Sequence, residues 1–64
     1  MSRNQRVWRR LDLIFAIRAL DRQATAAQRS AALAAAGIET LEGLELKRME
    51  ALQGILGAFQ KELS

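Results

Sequence analysis

The chain has 64 residues and a net charge of +3, and it contains no cysteine, histidine or tyrosine. This length allows one domain with a thin core, and the missing side chains exclude disulfides, thiolate metal sites and the usual general base. No glycine-rich phosphate loop accompanies this composition, so we expect a protein that is not an enzyme and binds neither metal nor cofactor.

A hydrophobic repeat runs through the first half of the sequence and predicts a long helix from about residue 4 to 36. Its members alternate between spacings of four and three residues, as in a coiled-coil-like seam; they are Leu13, Ile17, Leu20, Ala24, Ala27, Ala31, Ala34 and Ile38. Thr25 and Gln28 have the spacing of a capping box, so a bend or break within residues 21–25 is an alternative. We favour an unbroken or merely bent helix, because neither proline nor glycine interrupts the segment.

The following segment, residues 37–44, predicts a compact connector between two helices. Gly37 is placed to end the first helix in the left-handed conformation. Ile38, Leu41 and Leu44 recur every third residue, and we expect them to close the end of a bundle.

A second helix is predicted over about residues 45–63. Its apolar residues alternate between spacings of three and four, and they are Met49, Leu52, Leu56, Phe59 and Leu63. Together the two helices predict an all-α helical hairpin. The residues expected to pack this hairpin or its dimer are Leu13, Ile17, Leu20, Ala24, Ala27, Ala31, Met49, Leu52, Leu56 and Phe59.

Small residues are placed where these two helices could approach closely. The first helix has its alanines, and the second has Gly54 and Gly57. Glycine inside a helix costs roughly 1 kcal/mol relative to alanine. We therefore expect a close contact between helices that offsets this cost.

The N-terminal helix also has a second apolar face, which a single C-terminal helix cannot cover. Five residues share this face, namely Val7, Trp8, Leu11, Ile14 and Phe15. Left exposed, they would form an apolar patch of the kind that marks an interface. We expect two-fold self-association into a helical bundle, with the patch kept wholly or partly for a different protein as the other solution.

Charge is divided unevenly along the chain. Residues 1–32 carry seven arginines and two aspartates, whereas residues 33–64 carry three basic and five acidic residues. The basic half predicts contact with an acidic protein surface or with nucleic acid, and attraction between the two halves is the structural alternative. The residues expected to contact a partner are Arg6, Trp8, Arg9, Arg10, Leu11 and Phe15.

Three functions are compatible with these features. A protein-binding regulator that acts by stoichiometric contact agrees best with the surplus apolar face. A small basic DNA-binding protein that uses the arginine-rich N-terminal helix is the alternative, although a helix-turn-helix over residues 33–46 is disfavoured because its glutamates would approach the phosphates. The third function is that of a structural subunit in a larger assembly.

One stretch of the chain, from Arg29 to Leu56, is similar to a known family. It combines Arg29, Ala32-Leu33, Gly37-Ile38, Leu41, Leu44, Arg48, Ala51-Leu52 and Ile55-Leu56. This pattern resembles the helix–glycine–helix pattern in the C-terminal part of the Mu-type phage regulatory protein GemA. More broadly, the chain resembles small helical accessory proteins of temperate phages, among them dimers that bind and inhibit host transcription activators. The resemblance implies an inhibitor or modulator of a host regulator, and it implies no individual site residue.

The N-terminal sequence lacks the pattern of a targeting signal. It is basic, but the apolar stretch that follows is interrupted by Asp12 and ends at Arg18 without a small-residue cleavage site. No stretch approaches the ~18 apolar residues of a membrane span. We expect a cytoplasmic protein that has no membrane partner.

Overall fold

The computed structural model describes residues 9–64 and shows an all-α protein, as predicted. Three helices and one short 3-10 turn follow one another in this part of the chain. They are α1 (Arg10–Gln23), α2 (Ala26–Ala36), the 3-10 turn (Leu44–Leu46) and α3 (Met49–Leu63). Within the described residues there is no strand. The first predicted helix is thus divided into α1 and α2, and the second predicted helix begins at Met49 rather than at about residue 45.

Helix α1 begins at Arg10, and the predicted start at about residue 4 lies outside the described residues. Its N-cap is Arg9, whose backbone is extended with φ −86° and ψ 166°. The Oδ2 atom of Asp12 accepts a hydrogen bond from the backbone N–H of Arg9 at 3.0 Å. A carboxylate in the first turn also interacts favourably with the positive end of the helix dipole. These two interactions stabilise the start of α1 at this position.

The favoured unbroken helix is wrong, because the chain leaves the helical conformation at Ala24 and Thr25. Their ψ angles are 145° and 168°, which are extended values. Thr25 Oγ1 accepts a hydrogen bond from the N–H of Gln28 at 3.0 Å, and Gln28 Oε1 accepts one from the N–H of Thr25 at 2.8 Å. This reciprocal cap satisfies backbone donors that a break leaves without partners. A new helix therefore starts here without glycine or proline.

Arg29 connects α2 to the end of α1 across the break. Its Nε donates to Asp21 Oδ1 at 2.5 Å, and its Nη2 donates to the backbone oxygen of Asp21 at 2.9 Å. The guanidinium thus donates to a carbonyl oxygen in the last turn of α1, and its positive charge there interacts favourably with the negative end of the helix dipole. The break is fixed by side chains on both of its sides.

Helix α2 ends in a Schellman motif at Gly37. This residue has a φ of 76°, which confirms the predicted left-handed conformation. The N–H of Ile38 donates to the oxygen of Leu33, and the N–H of Gly37 donates to the oxygen of Ala34, both at 3.0 Å. The two bonds satisfy carbonyl groups that a helix end would otherwise leave without partners.

The hydrophobic core lies where α3 packs against both α1 and α2. Its buried members are Leu13, Ile14, Ile17, Ala32, Leu44, Leu52, Ile55, Leu56 and Phe59. Ile38 and Leu41 pack against the edge of this core, and Leu44 is fully buried. The apolar residues of the connector therefore contribute to the core.

The residues predicted to pack the hairpin or its dimer lie partly in the core and partly on the surface of the chain. Leu13, Ile17, Leu52, Leu56 and Phe59 are buried, and Leu20, Ala24 and Met49 pack against the core edge. Ala27 and Ala31, however, are exposed, and Ala32 is buried in their place. The repeat predicts one continuous helix, and the break at Ala24 and Thr25 changes which side of α2 faces α3.

The expected close contact at the helical glycines does not occur within the described residues. Gly54 and Gly57 are exposed, and a Cβ atom added at either position would meet nothing within 4 Å. Helix α2 packs against the other side of α3, where Leu52, Ile55 and Phe59 are buried. Neither glycine is therefore required by packing in this part of the chain.

Candidate protein-binding surface

Two large apolar side chains remain exposed on the outer side of α1. Leu11 is 60% exposed and Phe15 is 63% exposed. They are four residues apart, so they are neighbours on successive turns of one helix face. On the opposite side, Leu13, Ile14 and Ile17 are buried and attach α1 to the core. Helix α1 is therefore held by one face and presents the other to the surroundings.

The surplus apolar face is narrower than predicted. Ile14, which was assigned to it, is only 5% exposed and belongs to the core. Both α3 and the 3-10 turn contact α1. Together they cover a wider part of the surface of α1 than a single helix could cover. Within the described part of the chain, Leu11 and Phe15 are what is left of this face.

Two arginines extend the exposed side of α1 towards its C-terminal end. Arg18 and Arg22 are exposed and follow Phe15 at spacings of three and four residues, so they continue the same face. We call Leu11, Phe15, Arg18 and Arg22 the outer stripe. Its N-terminal half is apolar and its C-terminal half is cationic.

Arg9 and Arg10 are also exposed, at the N-terminal end of α1. The Nη1 atom of Arg10 donates a hydrogen bond to the backbone oxygen of Lys47. This bond ties the first turn of α1 to the residue that follows the 3-10 turn. Arg10 thus contributes to the fold, whereas it was predicted only as a partner-binding residue.

Sequence reasoning missed one residue, Leu46, which is 85% exposed. It precedes Lys47, and Leu11 follows Arg10, so the hydrogen bond between Arg10 and Lys47 places both leucines at the same end of the molecule. The available signal was that Leu46 belongs neither to the repeat of the connector nor to that of α3. An apolar residue outside both repeats has no predicted place in the core.

The structure describes four of the six residues predicted to bind a partner. Arg6 and Trp8 lie outside the described residues. Arg9, Arg10, Leu11 and Phe15 are brought to the surface along the first half of α1. Together with Leu46, they make a surface suited to binding, since large apolar side chains and arginines are typical of protein interfaces.

Between residues 9 and 64 there is no group of three acidic side chains that could hold a metal ion. None of the three helices has the length and apolar character needed to cross a bilayer. No protein-family model, curated protein or solved structure matches this chain. The function is therefore inferred from the exposed surface itself.

Proposed function

We propose that this protein is a small non-enzymatic regulator that binds another protein stoichiometrically through the outer side of α1. The observation that supports the proposal is the exposure of Leu11 and Phe15 on adjacent turns of a helix that is attached to the core by its other face. Full burial of one such side chain contributes about 1.5–3 kcal/mol. Burial of Leu11, Phe15 and Leu46 would supply apolar contact at the centre of a complex.

Regulation follows from binding alone in this proposal. A bound protein of this size covers a surface of its target and so prevents other contacts there. The resemblance to accessory proteins of temperate phages supports a host transcription regulator as the target, with inhibition as the result. The arginines near Leu11 and Phe15 orient the encounter and increase its rate.

We also propose that the chain forms a homodimer. Exposed small residues on α2 and α3, among them Ala27, Ala31, Gly54 and Gly57, leave room for a helix of a second copy to approach closely. Light scattering over a concentration series tests this, and we expect a molar mass twice that of the chain. A monomer at every concentration would show that the dimer is wrong.

The test of target binding uses affinity capture from host extract, followed by titration of the purified captured protein. The double variant Leu11→Ala/Phe15→Ala should retain its circular dichroism spectrum and lose the saturable, stoichiometric binding that the unmodified protein shows. The double variant Gln53→Ala/Gln60→Ala, which shortens two exposed side chains of α3, is the matched control and should bind normally. Unchanged binding by the α1 variant would contradict the proposal.

Nucleic-acid binding is the second candidate, and the exposed arginines of α1 are the observation that favours it. It predicts an affinity for duplex DNA that falls steeply with salt, because phosphate contacts release counterions. It also predicts that Leu11→Ala/Phe15→Ala has little effect on the affinity for DNA, because phosphate groups form no stabilising contacts with apolar side chains. Anisotropy titrations of labelled DNA at two salt concentrations separate the two candidates.

A further inference from the structure

The outer stripe has an order of side chains that restricts what can bind it. Leu11, Phe15, Arg18 and Arg22 follow one another along a single face of α1. At ~1.5 Å per residue the stripe extends over about 16 Å, which is three turns of helix. Its surface is convex, because it is one side of a helix that packs against the core with its other side.

Within the described residues, no acidic side chain forms a salt bridge with the arginines of the stripe. Among residues 9–64 the one salt bridge joins Arg29 to Asp21, and residues 1–8 contain no acidic side chain. The other acid of α1, Asp12, accepts the backbone N–H of Arg9 and caps the helix. Both acids of α1 are thus engaged elsewhere, and the charges of Arg18 and Arg22 are left for an external partner.

We propose that the partner bound by the outer stripe is an amphipathic helix whose acidic residues continue the line of its apolar ones. The proposal rests on the protein-binding function proposed above and deepens it. Two apolar residues of the partner, one turn apart, contact Leu11 and Phe15. Acidic residues on its next two turns pair with Arg18 and Arg22, because guanidinium groups bind carboxylates in a bidentate geometry.

A helical partner fits because its repeat matches that of the stripe. Two packed helices advance along their axes at the same rise per residue, so residues at i, i+4, i+7 and i+11 of the partner face the four stripe residues in turn. An extended segment advances ~3.3 Å per residue and would pass the stripe within about five residues, with alternate side chains turned away. Phosphate groups would pair with the arginines but would leave Leu11 and Phe15 uncovered.

The experiment uses two synthetic helical peptides that differ only in charge. Both carry leucine at i and i+4; one carries glutamate at i+7 and i+11, and the other carries lysine there. Each is titrated into the isotope-labelled full chain, and amide chemical shifts are followed by nuclear magnetic resonance. We expect the glutamate peptide to shift the amides of α1 around Leu11, Phe15, Arg18 and Arg22. The lysine peptide should bind about tenfold more weakly, because two exposed ion pairs become repulsions.

Charge reversal provides the decisive comparison. In the variant Arg18→Glu/Arg22→Glu the preference should invert, so that the lysine peptide binds more tightly than the glutamate peptide. Lys61→Glu, a reversal on the exposed side of α3, is the control and should leave the original preference. Leu11→Ser/Phe15→Ser should weaken the binding of both peptides equally.

Several results would overturn the inference. Equal affinity for the two peptides would do so. If that equal binding still required Leu11 and Phe15, the proposed protein-binding function would remain while the inference about an acidic helix would be wrong. Shifts confined to α2 or α3, or no binding of either peptide at millimolar concentration, would also contradict it. So would binding of duplex DNA or anionic vesicles that depends on Arg18 and Arg22 but not on Leu11 and Phe15.

Discussion

The Nε2 atom of Gln28 donates a hydrogen bond to the backbone oxygen of Glu62 at 3.4 Å, and this contact connects the first turn of α2 to the last turn of α3. The same side chain caps α2, because its Oε1 accepts the N–H of Thr25 at 2.8 Å. Gln28 therefore uses both ends of its amide, one for the local start of a helix and one for a contact between helices. The break after α1 and the packing of α3 are stabilised by one residue.

The variant Thr25→Ala should destabilise the fold, because it removes the hydroxyl that accepts the N–H of Gln28. Loss of an N-cap of this kind costs about 1 kcal/mol. For a chain of this size, that lowers the melting temperature by roughly 4–8 °C. Thermal unfolding followed by circular dichroism measures the change. Thr25→Ser keeps a hydroxyl and should melt close to the unmodified protein; an equal melting temperature for Thr25→Ala would contradict a role for the cap.

Arg29→Ala should cost more stability than Asp21→Ala. Arg29 makes two hydrogen bonds to Asp21, and only the one to the carboxylate is lost when Asp21 is changed, since the backbone oxygen remains. Both side chains are partly exposed, so we expect the coupling energy of the pair to be below about 1 kcal/mol and to decrease with salt. Urea unfolding of the two single variants and the double variant measures it. If Asp21→Ala costs the same as Arg29→Ala, the bond to the backbone oxygen contributes nothing.

Much of the fold could be predicted because its signals are local. Gly37 ends α2 through its own backbone, and the spacing of Thr25 and Gln28 indicates a possible cap. Whether that cap interrupts the helix could not be read from the sequence, since the break is also stabilised by Arg29 on Asp21 and by Gln28 on Glu62. Those contacts join residues that come together only after the helices pack.

The orientation of α2 could not be predicted either, for a compositional reason. Seven of its eleven residues are alanine, so its apolar pattern gives no contrast between one side and another. Ala31 and Ala32 are chemically identical, and only Ala32 is buried. Helix α1, by contrast, contains both large apolar and charged side chains, and the buried position of Leu13 and Ile17 follows directly from their spacing.

The same substitution at the two phenylalanines should have opposite consequences. Phe59 is fully buried, whereas Phe15 is 63% exposed. Phe59→Ala should cost about 3–5 kcal/mol, because it leaves a cavity in the core. A domain this small rarely has more stability than that, so the variant should be largely unfolded. Phe15→Ala should change the free energy of unfolding by less than about 0.5 kcal/mol.

Circular dichroism and urea unfolding of these two variants test whether Phe15 of α1 lies outside the core that contains Phe59 of α3. Phe59→Leu keeps most of the apolar volume and serves as the intermediate case, with a smaller loss of stability. A large destabilisation by Phe15→Ala would place this side chain in a structural contact. The exposure of Phe15 would then not support a partner-binding surface on α1.

Gly54→Ala and Gly57→Ala should each stabilise the chain when it is measured as a monomer. Both glycines lie within α3, and an added Cβ atom meets nothing within 4 Å at either position. Alanine restricts the unfolded chain more than glycine does, and in a helix interior the gain is about 0.5–1 kcal/mol. Gly37→Ala is the matched control: there the φ of 76° is strained for any side chain, so it should destabilise by about 1–2 kcal/mol.

These glycine variants also test the proposed dimer, if unfolding is measured at several protein concentrations. Where a second copy packs closely against α3, a methyl group at Gly54 or Gly57 would obstruct it. The variants would then be more stable than the unmodified protein at low concentration and would dissociate more readily in light scattering at high concentration. If instead they gain stability at every concentration and keep their molar mass, the exposed glycines take no part in self-association, and the dimer must use another surface.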